Sequence, residues 1–361
     1  MKVCLRRIAI AAAVLISVLL VAAAVPIVAI ETGCGNGAIP RAPATGTDVQ
    51  DPGYQRAEGD SYLTYPEWYI VHAYADLAGV TRASSESDYR YGSAIKNFWS
   101  SMCRATETAR KIGPVTADQR ITDYIIGISF SLEMAVQGLY ERTVGAVTAW
   151  IRGNKKTPED DFNQRFLDDY AAFLQQTPWY QYPFKTELSR FWRDTPWSSG
   201  SPVRSVERRF ALTLEYGLKG LYAVAIGALA GYAPADLTIM TVIKRSGDSA
   251  VNNVTLVREL NGGAELVRTP RYQAYTDILK AWANNGTRVV EIAGNQRILT
   301  TVIARQSSTI DAPGSTQIFT IPIQSKPGWQ RIGFDTEVPM ITAAIAAVER
   351  QGATFEHAYD Y

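Results

Sequence analysis

Between Ile8 and Ile30 the chain runs for 23 residues without a charge, and that run limits where everything after it can fold. As a helix rising 1.5 Å per residue it is long enough to cross a hydrocarbon core of about 30 Å. Lys2, Arg6 and Arg7 precede it, whereas the far flank opens with Glu31 and carries no basic residue before Arg41. This asymmetry predicts a cytoplasmic N-terminus, with the body in the periplasm or outside the cell. The lipid bilayer, met through Ile8–Ile30, is therefore the first partner the sequence implies. The competing reading is a cleaved signal peptide, because Ala22 and Ala24 have peptidase spacing and Pro26 follows them. Length and flanking charge favour an uncleaved, single-pass anchor over residues 1–30 in the inner membrane.

Beyond the anchor, the sequence bounds the possibilities more than it selects among them. Of 361 residues, 47% are apolar and 20% charged, a balance that supports a packed core. The 36 basic and 35 acidic side chains nearly cancel, so there is no electrostatic case for a nucleic-acid partner. Three cysteines are too few for a disulfide framework or a structural zinc site. Cys34 and Cys103 would share the oxidising side, yet nothing in their spacing demands a bond, and two unpaired small hydrophobes are the expectation.

Residues 31–60 are rich in Gly, Pro, Ala and Thr and read as a flexible tether that holds the body off the membrane. Residues 61–233 then show apolar residues at helical spacing, with predicted helices at Tyr65–Ala78, Ser93–Lys111, Thr116–Ile151, Pro158–Gln175, Lys185–Arg193 and Val203–Tyr232. Thr157, Pro158 and the acidic Glu159, Asp160 and Asp161 form a strong helix start. From residue 234 to 361 the pattern changes to strands interrupted by two helices, Tyr272–Asn284 and Pro339–Arg350, with Gly286 and Gly352 at the helix ends. The predicted fold class is α+β: a transmembrane helix, an aromatic-rich helical domain, and a C-terminal α+β domain with a ferredoxin-like arrangement.

One helix occurs twice. Leu132–Val147 and Leu214–Leu229 share seven of 16 columns, among them Glu133/Glu215, Gly138/Gly220 and Tyr140/Tyr222. At 100° per residue, Glu133, Gln137 and Tyr140 fall on one face, as do Glu215, Lys219 and Tyr222, while Gly138 and Gly145 lie on a flank suited to close approach. These are expected to be core helices forming a pseudo-symmetric pair, with Glu133 meeting Tyr222 and Glu215 meeting Tyr140. The uncharged stretch Gly220–Ala235 is short for a membrane span and is expected to be a buried helix.

The chemistry-bearing candidates are few. Glu133 and Glu215 are two carboxylates in an apolar setting, open to acid–base work but equally to i,i+4 pairing with Gln137 and Lys219. His72 and Asp76 lie one turn apart with Trp68 a turn away, the pattern of either an oriented general base or a satisfied buried histidine. His357, on the last strand, is expected to face with Phe355 and Tyr359, away from Glu356. Trp179, Tyr180, Tyr182 and Trp197 crowd one proline-rich loop region and are the leading ligand-binding candidates. Asp160/Asp161 and Asp168/Asp169 are open to a divalent cation, since Asp161 and Asp168 share a helix face, but are expected to be a solvated face and a capped terminus. No metal ligand set and no cofactor motif occur, and the signatures of serine hydrolases, zinc proteases, nucleotide enzymes and thiol oxidoreductases are absent. The leading expectation is a membrane-anchored, non-catalytic binding or assembly module for an unidentified protein or small-molecule partner. The alternative is an extracytoplasmic enzyme using the buried carboxylates or the His72/Asp76 pair.

Overall fold

The structure, a computed structural model, describes residues 21, 24–34, 58–113, 115–197, 200–229, 237–246 and 251–359. Most of the uncharged run, residues 8–20 and 22–23, lies outside these, as do residues 35–57 of the expected tether. Among the described residues no helix is long and apolar enough to cross a membrane.

The last turns of the run form helix α1 (24–33), and its end is fastened to the body. The Glu31 carboxylate accepts hydrogen bonds from Tyr124 at 2.6 Å, Arg110 at 2.8 Å and Arg120 at 3.1 Å. Ile30 is buried, and Cys34 is disulfide-bonded to Cys103. Two expectations are thereby corrected. The cysteines pair because α1 packs on the helix that carries Cys103, a proximity that spacing alone cannot show. The tether does not begin at Glu31, because the three charged and aromatic partners of that residue hold it to the body.

The helical part comprises α2 (Glu58–Leu63), α3 (Tyr65–Ala83), α4 (Tyr91–Ile112), α5 (Ala117–Tyr140), α6 (Ala146–Arg152), α7 (Pro158–Leu174), α8 (Phe184–Asp194) and α9 (Pro202–Leu229). A π-helical turn, Glu141–Gly145, joins α5 to α6, so the single helix expected there bends but continues. Thr157 caps α7 in a capping box with Asp160. The expected close approach at Gly138 is present: a Cβ there would lie 2.7 Å from Cβ of Tyr91 on α4.

The C-terminal part contains β1 (Thr238–Lys244), β2 (Thr255–Leu260), β3 (Ala264–Pro270), α10 (Gln273–Asn285), β4 (Arg288–Ile292), β5 (Arg297–Arg305), β6 (Ser315–Pro322), β7 (Trp329–Glu337), α11 (Ile341–Arg350) and β8 (Thr354–Ala358). These build two antiparallel four-stranded sheets of order β2-β3-β1-β4 and β6-β7-β5-β8. Each is therefore a βββαβ unit of identical topology. The likeness extends to register. Thr241 pairs with Val267 and Ile292 as Thr300 pairs with Phe334 and Ala358. Bulges fall at matching places, after Val242 and Thr301 and between Leu256/Arg258 and Gln317/Phe319. Both helices end before a left-handed glycine, Gly286 and Gly352.

This duplicated arrangement replaces the ferredoxin-like one expected. The strand β3 made the difference: charges at Glu265 and Arg268 interrupt its apolar pattern, and with it the first sheet is complete before the second unit begins.

Tyr275, Leu279 and Trp282 of α10 and Ile341, Ile345 and Val348 of α11 fill one core between the units. The other face of the second sheet packs on the helical part, where Leu299, Phe319, Ile321 and Tyr359 share a core with Tyr62, Tyr65 and Trp68.

The repeated segments, within α5–α6 and α9, lie side by side and antiparallel. Lys219 bridges Glu133 at 3.0 Å and Glu215 at 2.8 Å, and Gln137 donates to Glu215 at 3.1 Å. The expected Glu–Tyr contacts are not made. Each Glu instead meets the position one turn beyond its own counterpart on the facing helix. Tyr140 donates to Glu207, and Tyr222 stacks on Trp179.

These are also not core helices. None of the six charged side chains of α9 is exposed. Arg204 pairs with Asp160 and Glu207, Arg208 with Glu141 and Glu207, and Arg209 with Glu159. The outward face of α9 is apolar, from Val206, Phe210 and Leu214 through Leu218 and Leu221 to Val224, the last 72% exposed. The Gly220–Ala235 stretch is accordingly not buried in its described part, and residues 230–236 lie outside the described residues. Asp160 is part of the capped terminus expected at the start of α7, and it also belongs to the buried ion-pair network.

Substituting Gly138 by Ala forces its Cβ against Tyr91 and should cost about 2 kcal/mol of stability. A lower melting temperature for Gly138→Ala than for Gly92→Ala, an equally helical position with open space, is the expected readout in detergent solution.

Candidate functional site

A cavity of about 300 Å³ lies at the seam between the helical part and the second sheet. Helix α3 contributes Trp68, His72 and Asp76; the second βββαβ unit contributes Ile303, Ile323, Ser325, Arg331, Glu356 and His357. Both histidines of the chain thus meet in one place although 285 residues separate them in sequence.

A backbone irregularity makes the meeting possible. Strand β8 bulges against β5: Thr301 pairs with His357 but Val302 with Phe355. Glu356 is the extra residue, and beyond it the alternation of faces reverses. Phe355 remains in the core between the units, while Tyr359 joins the helical core. The expectation for His357 is therefore corrected in part: it shares a face with Tyr359, their rings 4.9 Å apart, but Phe355 lies on the other face and Glu356 does not face away. Glu356 and His357 line the same cavity.

The polar contacts are dense. Arg331 grips Glu356 with two hydrogen bonds of 2.5 and 2.7 Å. His72 Nδ1 lies 3.7 Å from Glu356, and its Nε2 shares a 3.1 Å hydrogen bond with Tyr359 Oη. The Trp68 ring lies over His357, tilted by 36°, with 3.7 Å between centroids. His357 Nδ1 bonds Thr276 on α10 at 2.9 Å, while its Nε2 has no hydrogen-bond partner. Asp76 does not orient His72, contrary to the expected pair. Its carboxylate instead accepts from Ser325 Oγ at 2.5 Å and from the Gln324 backbone N–H at 3.0 Å, fastening the β6–β7 turn to α3.

Electrostatics fix the protonation states. Burial, reinforced by the nearby Arg331 charge, lowers His72 to about 3. Burial likewise lowers His357 to about 3, with His72 adding to the effect. Burial alone would raise Glu356, but Arg331 and His72 hold it down to about 2. Asp76 is raised by burial, against the hydrogen bonds from Ser325 and Gln324 that favour its charged form. At neutral pH the contact between His72 and Glu356 joins a neutral ring to a carboxylate and is not an ion pair. Among the described residues no three of His, Cys, Asp and Glu converge as a metal would require.

The remaining candidates fall elsewhere. Glu133 and Glu215 share Lys219 in the α5–α9 contact, and Tyr74 also donates to Glu133. Tyr182 is buried among Phe166, Tyr170 and Phe184. Trp179 and Tyr180 lean on α9 and are half-buried. Trp197 is exposed over Arg209 and lines a separate apolar groove of about 550 Å³ with Trp192 and Phe210. The loop cluster therefore does not form one binding surface.

No family model, curated protein or solved structure matches the chain, so the site is read from its own geometry.

Neutral in the fold, both histidines titrate near 6.5 when unfolded, so the unfolded chain takes up protons first as pH falls. Their contribution is complete above pH 6.5 and is lost as pH falls toward 3, about 1 kcal/mol per histidine by pH 5.5. Melting temperatures followed between about pH 8 and about pH 5 should show this slope. It should be reduced in His357→Gln and flattest in the His72→Gln/His357→Gln double variant.

Proposed function

We propose that this is a membrane-anchored, extracytoplasmic binding module whose seam cavity receives a small ligand and performs no proton chemistry on it. The observation that carries this reading is the electrostatic state of the cavity. His72, His357 and Glu356 all titrate far below neutral pH, whereas a general acid or base works best with a pKa near the working pH. The charged groups are also already engaged, Glu356 by Arg331 and Asp76 by Ser325. An unpaired, 1% exposed imidazole nitrogen remains at His357. Leaving such a group unsatisfied costs about 1–3 kcal/mol, which a ligand atom reaching it would recover. Trp68, Ile303 and Ile323 supply an apolar wall, and Gln175, Gln273 and Lys326 a polar one. The matching ligand is small and amphipathic, with at least one hydrogen-bonding group.

What supports the extracytoplasmic address is the Cys34–Cys103 bond, which persists in oxidising compartments, together with the charge asymmetry around Ile8–Ile30. The enzymatic reading has one feature in its favour: Asp76 faces the same cavity with a raised pKa. Glu133 and Glu215 offer it nothing, because they lie outside the cavity and are bridged by Lys219.

The test is native mass spectrometry of the full chain extracted in mild detergent. Wild type should retain a small molecule, and Ala75→Leu, which narrows the cavity from its half-buried wall, should lose it while keeping its melting temperature. A wild-type protein that carries nothing, or equal retention by both, refutes the cavity as a ligand site.

A further inference from the structure

A helix that turns its charges inward and its apolar side chains outward is upside down for a surface in water. It is the right way round for a surface against hydrocarbon. Helix α9 is such a helix: none of its charged side chains is exposed, and most of its large apolar ones are. Its neighbour follows the same rule: between Ile121 and Ile151, across α5, the π turn and α6, Arg142 is the one charged side chain that is exposed. Ile125, Val136, Leu139, Val147 and Trp150 face outward there, Trp150 at 81% exposure.

The two apolar faces point the same way. Around α9, at 100° per residue, the order is the buried face (Leu212, Tyr216), the seam (Glu215, Lys219), then the outer face (Leu214, Leu221). Around α5 it is Phe130 and Met134, then Glu133 and Gln137, then Leu132 and Leu139, in the same rotational sense. Because the helices run antiparallel, equal senses place both outer faces on one side. The joint surface runs about 33 Å along α9 from Val203 to Val224, and about 45 Å along α5–α6. Contiguous patches of more than a few hundred Å² are rare on surfaces that stay in water.

Helix α1 identifies what covers this surface. It lies against the flank of α5 opposite α9, where Glu31 meets Arg120 and Tyr124, and Ile121 and Ile125 are the next outward residues of α5. Val21, Val25 and Val28 are exposed along it, and the uncharged run continues from it to Ile8. The apolar face is therefore continuous with the segment that enters the bilayer. We propose that the outer faces of α5–α6 and α9 rest in the bilayer itself, embedded at the level of headgroups and upper acyl chains, as a monotopic surface beside the anchor. The occupant of the face is lipid. Trp150 on α6, Trp192 on α8 and Trp197 in the loop after α8 have the amphipathic rings that favour that depth.

This inference rests on the reading that Ile8–Ile30 delivers the chain to a membrane, and it is independent of the seam cavity. Co-flotation of the full chain with phosphatidylcholine vesicles checks the anchor by itself. The face is tested on the floated protein by comparing tryptophan emission in plain and acyl-brominated phosphatidylcholine vesicles. Emission should be quenched by the brominated lipid, and about half of the quenching should be lost in the Trp150→Phe/Trp197→Phe double variant. Phe210→Glu, at an exposed position, should keep its melting temperature in detergent and lose quenching in vesicles. Flotation with no difference between the two lipids overturns the proposal while leaving the anchor intact. Cross-linked dimers in which Trp150 is shielded from brominated lipid overturn it as well, assigning the face to a second copy. Failure to float removes the anchor reading and this inference with it.

Discussion

The inward-facing charges of α9 are the constraint on which much of the helical part depends. Three buried arginines of α9, Arg204, Arg208 and Arg209, are satisfied by carboxylates from α7, the π turn and α9 itself, and the half-buried Arg152 of α6 joins them on Asp160. Burying such groups is costly unless each finds its partners, and removal of one partner is far costlier than the net worth of the pair. The rotation of α9 about its own axis is therefore settled by ion pairing together with the burial of Leu212 and Tyr216, and most of the remaining large apolar residues face outward. The same pairing holds α7 in place through Glu159 and Asp160. Helix α7 packs on α3, which carries Trp68, His72 and Asp76 into the seam. The cavity is thus held by charges that lie outside it.

In the C-terminal part, one topology has been used for two purposes. Both βββαβ units bulge at the same point of their final strand. In the first unit the residues corresponding to Glu356 and His357 are Val290 and Glu291. Val290 packs against a small apolar cluster with Val242 and Leu266. In the second unit the same displacement delivers a carboxylate and an imidazole into a cavity closed by α3. The helical part is what changes the meaning of the bulge, because it covers one face of the second sheet.

Much of the architecture could be read from the sequence where local chemistry decides it. The capping box at Thr157, the end of α10 at Gly286 and the change from helical to strand periodicity near residue 234 all rest on interactions within a few residues. The buried side of α9 was misjudged because hydrophobicity alone does not say whether water or something apolar lies outside. The duplication was invisible because it resides in strand register and bulge position, with Thr241/Thr300 and Gly286/Gly352 among the few shared residues. For the site, His72 and Asp76 were visible as neighbours on one helix. Their partners Glu356, Arg331 and Ser325 come from strands and a turn some 250 residues away, and no local pattern marks them. Only the adjacency of Glu356 to the second histidine offered a signal.

The fastening of α1 changes what the proposed anchor would do to the rest of the molecule. On the proposed membrane, a body on a loose leash could take any attitude, whereas one bolted at Glu31 and Cys34 would inherit the tilt and azimuth of its own stem. Torque applied to that stem would pass directly into α4 and α5. Reducing the sulfur bridge would unfasten one of the two bolts, leaving the carboxylate clamp to resist alone, so orientation becomes a property that oxidation helps to set.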